Sequence, residues 1–238
     1  MRKRAGTLIW IILILSENRI STFEMDYVSI NWKKSALVVI DMQYDFVSPM
    51  GASPIEGTEA ILPELICLAD RFRYYKLPII HVIRLYKPDG SNVDNCRRIL
   101  IESGKRIATV DSDGANIISE LLPSDPVLPD HYRLLTGEVL NIGKHDYVLY
   151  KPRWGAFYQT PLEDFLRKKG IDSVIVAGCN FPNCPRTSIY EASERDFRIG
   201  VVEGTISGLY NTGREELANI GVNLFTSEEM DPLLKLSY

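Results

Sequence analysis

The chain has 238 residues, 45% of them hydrophobic and 24% charged, the profile of a globular protein long enough to bury a substantial core. Its 27 basic and 31 acidic side chains leave a net charge of −4, which excludes a basic face built to bind nucleic acid. Four cysteines and three histidines are too few for a disulfide scaffold or a His-rich metal site.

The chain starts with Arg2-Lys3-Arg4 and an apolar run from Leu8 to Leu15, the charged start and apolar core of a signal peptide. The run is far shorter than the ~20 residues that span a bilayer, and no small-x-small cleavage pattern follows it. Met25 is a second candidate start. Residues 1–24 are therefore read as an N-terminal extension or a miscalled start, in preference to a docked helix or a working signal. Residues 25–238 are read as one domain, and the protein is expected in the cytoplasm.

From Ser35 onward, short apolar runs alternate with helical patterns. Ala36 to Ile40 is a buried-type strand ending at Asp41, and Ile61 to Tyr75 carries apolar residues near 3.6 spacing, hence a helix. Pro78 to Ile83 reads as a second strand and Tyr147 to Tyr150 as a third, with Lys151 at its end. The stretch between them, Tyr86 to Asp146, is rich in turn signals and reads as a long insert. Thr160 to Lys169 is a helix stopped by Gly170. Ser173 to Ala177 is a fourth strand, Cys184 to Arg195 a helix, Ile199 to Val202 a strand, Gly213 to Ile220 a helix, and Val222 to Phe225 a last strand. Runs apolar on both faces and separated by helices mean a parallel sheet covered on both sides. The expected fold is a single doubly wound α/β domain with a six-stranded, mostly parallel sheet.

In such a sheet, ligands bind outside the carboxyl ends of the strands. Asp41 follows the first strand, Lys151 ends the third, and the loop after the fourth holds Gly178-Cys-Asn-Phe-Pro-Asn-Cys184. These meet at one edge if strands one, three and four are neighbours. A carboxylate, an ammonium and a thiol together suggest an activated cysteine nucleophile. Each has a plainer reading: Asp41 as a turn residue, Lys151 as a solvated charge, Cys184 as a small buried hydrophobe. Cys67 falls on what reads as the apolar helix face, Cys96 in a polar loop, His81 inside the core, and His131 and His145 at the surface. Tyr44, Phe46, Trp154, Phe157 and Phe181 lie close in sequence to the candidate site, as pocket wall or as core. Arg84 and Arg153 are either anion ligands or solvated charges, and neither is preferred. Thr187 and Ser188 read as packing or capping residues.

Four segments carry a family resemblance: Ala36-Leu-Val-Val-Ile-Asp-Met-Gln-Tyr-Asp-Phe46, Gly114 to Pro123, Tyr150-Lys-Pro-Arg-Trp-Gly-Ala-Phe157, and Val176-Ala-Gly-Cys-Asn-Phe-Pro-Asn-Cys-Pro-Arg-Thr-Ser188. In this order, the chain from about Ser35 to Phe225 resembles the isochorismatase-like cysteine hydrolases, which include nicotinamidases and other amidases. The resemblance implies Asp41 as general acid/base, Lys151 as its cationic partner and Cys184 as nucleophile. It further implies an oxyanion hole from the backbone N–H groups of Asn180 and Cys184, and a cis peptide between Cys179 and Asn180. Gly114 to Pro123 corresponds to that family's helix before the third strand. The implied assembly is a homo-oligomer, dimer or tetramer, acting on a small-molecule substrate; from the charge balance and the short apolar run, no nucleic-acid or membrane partner is expected.

The chain also departs from the pattern. Phe181, Pro182 and Pro185 stand where many members have other residues, and Pro185 suits the first turn of a helix. Nicotinamidases of the family use an Asp/His metal cluster, but His81 here is not followed by Asp-x-His. No catalytic metal and no cofactor are expected, and the Gly-rich dinucleotide motif is absent after every predicted strand. The leading expectation is hydrolysis of a non-peptide amide, ureide or cyclic amide. The alternatives are a vinyl-ether hydrolase using Asp41 and Lys151, a non-catalytic binding protein of the same fold, and a redox protein pairing Cys179 with Cys184.

Overall fold

The computed structural model describes residues 27–236, so the expectations for residues 1–24 and Met25 lie outside the described residues. In chain order the first elements are β1 (Ser35–Ile40), α1 (Tyr44–Val47), α2 (Leu62–Tyr74), β2 (Ile79–Ile83), α3 (Asn95–Glu102), α4 (His131–Leu135) and β3 (Leu140–Asn141). There follow β4 (Asp146–Tyr150), α5 (Leu162–Lys168), β5 (Ser173–Gly178), α6 (Cys184–Ser193), β6 (Arg198–Val202), α7 (Asn211–Asn219), β7 (Asn223–Phe225) and α8 (Ser227–Leu236).

Strand β1 is buried along its whole length, and its side chains divide between two cores. Leu37 and Val39 join α2 residues Leu65, Leu68 and Phe72 on one face, while Ala36, Val38 and Ile40 join Leu162, Leu166 and Ile189 on the other. A strand apolar on both faces must be covered on both, which is why the crossovers carry helices. The sheet order is β3-β4-β2-β1-β5-β6-β7. All pairs are parallel except β3 with β4. The seventh strand, absent from the expected six, is β3. It is two residues long and antiparallel on an edge, too short to leave a periodic pattern.

Other expectations change as well. Gly114 to Pro123 is not an α-helix: it makes two 3₁₀ turns, Asp113–Ala115 and Ser119–Leu121. The residues between them run alongside the start of α1, where Tyr44 N–H donates to Asn116 C=O and Ile118 N–H to Met42 C=O. Cys67 is exposed, because the buried face of α2 is set by Leu65, Leu68, Ala69 and Phe72 and Cys67 points away from it. Cys96 lies exposed in α3 and not in a loop. Among the described residues no helix is long and apolar enough to cross a membrane.

The histidines show that the insert packs as part of the domain. His131 is buried, contrary to expectation, and its Nδ1 accepts from the Asp111 N–H at 3.0 Å. His145 is half-buried. His81 is buried in β2, and its Nε2 lies 3.3 Å from Asp146 Oδ1 while its Nδ1 has no partner among the described residues.

Asp146 also takes a two-pronged contact from Arg73, at 2.8 and 3.3 Å. Burial alone would raise the Asp146 carboxyl, but His81 and Arg73 outweigh it and hold it below its ordinary value. A carboxyl depressed in the folded state contributes stability above its unfolded pKa, lost as pH falls through the folded one. Asp146→Asn is therefore expected to cost on the order of 3 kcal/mol at neutral pH. Urea midpoints should show that gap narrowing below about pH 4; a gap independent of pH would contradict this role.

Candidate active site

Four strand ends meet where the chemistry-bearing residues emerge. Asp41 N–H donates to Val82 C=O, Cys179 N–H to Ile40 C=O and Lys151 N–H to Ile83 C=O, each at about 3 Å. Strand β4 is not a neighbour of β1, since β2 lies between them. Lys151 therefore reaches Asp41 with its long side chain across the end of β2. Its Nζ lies 2.8 Å from Asp41 Oδ2 and donates to Cys184 Sγ at 3.2 Å and to Arg153 C=O at 3.2 Å. Lys151 is 0% exposed, Asp41 5% and Cys184 5%. The three residues named from the sequence are brought together, with the ammonium bridging carboxylate and thiol.

The backbone around them is specialised. Asp41 has φ +52°, a left-handed conformation that Asp tolerates better than most residues. The Cys179–Asn180 peptide is cis, where the resemblance put it. Gly178 has φ +111°, and a Cβ there would lie 2.2 Å from Ile40 C=O. Gly178→Ala is expected to cost more than about 2 kcal/mol, read as a lower denaturation midpoint; an unchanged midpoint would contradict the close approach of β5 to β1.

Helix α6 begins at Cys184, with Pro185 in its first turn, as the sequence suggests. The N–H groups of Asn180 and Cys184 carry no hydrogen bond to another described residue, so both are free to donate. Ser188, buried in the same helix, donates to Cys184 C=O at 2.7 Å and accepts from Ala156 N–H at 2.9 Å. Thr187 donates to Asn183 C=O at 2.9 Å. Both hydroxyls tie down the start of α6, in keeping with the packing and capping reading.

Electrostatics place the resting proton. Burial pushes the Cys184 thiol above its ordinary value and Asp41 pushes the same way, while Lys151 and Arg84 pull it down without overcoming them. That balance favours the thiol over the thiolate. Asp41 Oδ1 is buried with no hydrogen-bond partner among the described residues, an acceptor held ready. Cys179, 1% exposed, is also pushed well up by burial. Its Sγ donates to Asp41 C=O at 3.6 Å.

A cavity of about 180 Å³ opens over these groups. Of the five aromatics proposed as wall, Phe46 and Trp154 line it. Phe157 instead packs on Phe197, with ring centroids 5.6 Å apart. Phe181 is 0% exposed and packs on Tyr210 at 5.4 Å. Tyr44 faces outward and is 45% exposed. Adjacency in sequence does not give direction: Tyr44 and Phe46 are two residues apart on a helical turn, so they leave it on different sides.

The sequence reading left Arg84 undecided and did not single out Asp94 or Arg97. Arg84 is 1% exposed and lines the cavity, with Nη2 4.0 Å from Cys184 Sγ. Its Nη1 meets both Asp94 oxygens, at 2.8 and 3.0 Å. Burial opposes its charge, but Asp41, followed by Tyr86, Cys184 and Asp94, outweighs that and holds the guanidinium above its ordinary value. The missed signal was positional: Arg84 directly follows β2, and the strand-end rule applied to three other strands applies equally here. Gln43 fixes that strand end, accepting from Arg84 N–H at 2.7 Å and donating to Arg84 C=O at 2.7 Å. Arg153, the other undecided arginine, lies at the surface with Nε 3.8 Å from Asp94.

A metal of the nicotinamidase kind does not fit this end of the sheet. Arg84 projects a fixed positive charge there, and His81 is engaged with Asp146 inside the core. Among the described residues no group of three or more His, Cys, Asp or Glu side chains could hold a metal ion.

Residues 35–228 match the isochorismatase domain. A probable inactive nicotinamidase of Arabidopsis thaliana is 26% identical over 204 residues, covering 83% of this chain and 95% of its own. Among solved structures, an isochorismatase family protein of Desulfovibrio vulgaris aligns with TM-score 0.72 and 26% identity, covering 85% of this chain and 98% of its own. An N-carbamoylsarcosine amidase from Thermoplasma acidophilum aligns with TM-score 0.65 and 28% identity, covering 83% and 99%.

Proposed function

This chain belongs to the isochorismatase family of hydrolases, and from that premise we propose that it hydrolyses a non-peptide carbon–nitrogen bond through a thioester on Cys184. The observation that carries the reading is the buried Lys151 Nζ standing 2.8 Å from Asp41 and 3.2 Å from Cys184 Sγ, where Asp41 and Cys184 both line a small cavity.

These positions support the following steps. Asp41 Oδ1 takes the thiol proton as substrate arrives, and Lys151 and Arg84 stabilise the thiolate as it forms. The thiolate attacks the substrate carbonyl carbon, and the oxygen becomes an oxyanion held by the N–H groups of Asn180 and Cys184. Protonated Asp41 gives its proton to the leaving nitrogen, the C–N bond breaks, and ammonia or an amine departs. That leaves a thioester. Asp41 then removes a proton from water, and the resulting hydroxide attacks the thioester carbonyl. Collapse expels the thiolate, which regains the proton from Asp41, and the acid is released.

A vinyl-ether hydrolase would need only Asp41 and Lys151. The direct contact between Lys151 and Cys184 favours the cysteine-dependent reading over it. Ammonia or amine release from a panel of small amides, ureides and cyclic amides, without added metal, tests the proposal. At least one member of the panel should be hydrolysed. Cleavage of a vinyl ether with no amide turned over would overturn the reading.

A further inference from the structure

We propose that Arg84 and Arg97, backed by Trp154, form a carboxylate subsite, so that the substrate is a short amide or ureide acid. This rests on the reading of Cys184 as the acylating nucleophile. Lys151 and Asp41 pair with each other, which leaves Asp94 to balance the arginines. It contacts three guanidiniums: Arg84 at 2.8 Å, Arg97 at 3.3 Å and Arg153 at 3.8 Å. Three cations against one anion leave the cavity and its rim positive, which favours an anionic ligand.

The donors are also uncommitted. Arg97 spends only Nη1, on Tyr86 Oη at 3.2 Å and on Asp94. Its guanidinium lies over the Trp154 ring at 4.6 Å, which orients it and leaves Nε and Nη2 without a described partner. Arg84 Nη2 has only the sulfur, at 4.0 Å. Planar forks of this kind match a carboxylate. The position limits the ligand's length as well. Arg84 is so close to Sγ that an anion it binds lies a few bonds from the carbonyl under attack. A cavity of about 180 Å³ is small beside the usual pocket range.

The test is calorimetric binding to Cys184→Ala, which needs no chemistry. The probes are oxamate, malonamate and succinamate, each against its neutral diamide. At least one acid should bind more tightly than its diamide by roughly 10- to 100-fold, the worth of a charged hydrogen bond. Adding Arg97→Met should abolish that preference, and Arg97→Lys should restore part of it. Arg97 is half-exposed, so neither change empties the core. Diamides binding as well as the acids, no binding by any acid, or a preference that survives Arg97→Met would overturn the subsite. Cys184-dependent turnover of neutral amides with no acid preference refutes the subsite alone. Acid binding that depends on Arg97, without turnover in the wild type, supports the subsite and refutes the hydrolase reading alone.

Discussion

Replacing Cys184 by alanine is expected to reduce amide turnover to background, a loss on the order of 10⁵-fold or more. The fold should survive, because Cys184 is buried in the apolar cluster with Ile189 and Ala192 and alanine fits that environment. The proposed oxyanion donors, the N–H groups of Asn180 and Cys184, are backbone groups and remain. What disappears is the atom that carries the acyl group, and neither Asp41 nor Lys151 can replace it. Steady-state ammonia release beside thermal unfolding separates lost chemistry from lost fold. Wild-type-like release from the alanine variant would exclude a thioester.

Asp41→Asn should have two effects of opposite sign on Cys184. Turnover is expected to fall by roughly 10²–10⁴-fold, because the amide cannot take the thiol proton or deliver it to the leaving nitrogen. The thiol itself should become more acidic. Asp41 is one of the influences raising it, whereas Lys151 and Arg84 pull it down, so removing the carboxylate tips the balance toward thiolate. Alkylation of Cys184 by iodoacetamide, followed against pH, should shift to lower pH even as activity is lost. Alkylation that shifts upward, or turnover that tracks the thiolate fraction, would contradict the assigned base. Lys151 loses its ion partner in this variant, so unfolding is measured alongside.

These expectations rest on residues whose visibility in the sequence differed for physical reasons. The doubly wound sheet was legible because β1 and β5 are apolar on both faces, a pattern that only a covered parallel sheet explains. Asp41 and Lys151 were legible because polar residues directly after such strands have one common destination, and Cys184 because the loop after β5 leads to the same end of the sheet. Arg84 obeys the same rule, but an arginine reads equally well as a solvated charge until its burial against Asp94 is known. Asp94 and Arg97 could not be found that way. They come from the turn-rich insert, which strand and helix periods do not describe, and helix α3 places them. Cys67 was read onto the apolar face of its helix, but Leu65, Leu68, Ala69 and Phe72 set that face and leave Cys67 exposed. Phe157 and Phe181 stayed open between pocket wall and core because nearness in sequence to a candidate-site residue says nothing about which face a ring occupies.

The central claim is the covalent intermediate, and its most direct test is the mass of the Cys184-bearing peptide after acid quench during turnover. The account predicts a mass increase equal to the substrate's acyl group minus one hydrogen, confined to that peptide and absent from Cys184→Ala. It should accumulate further in any variant that slows hydrolysis of the thioester more than its formation. Turnover with Cys184 unmodified at every quench time, and undiminished in Cys184→Ala, would contradict it.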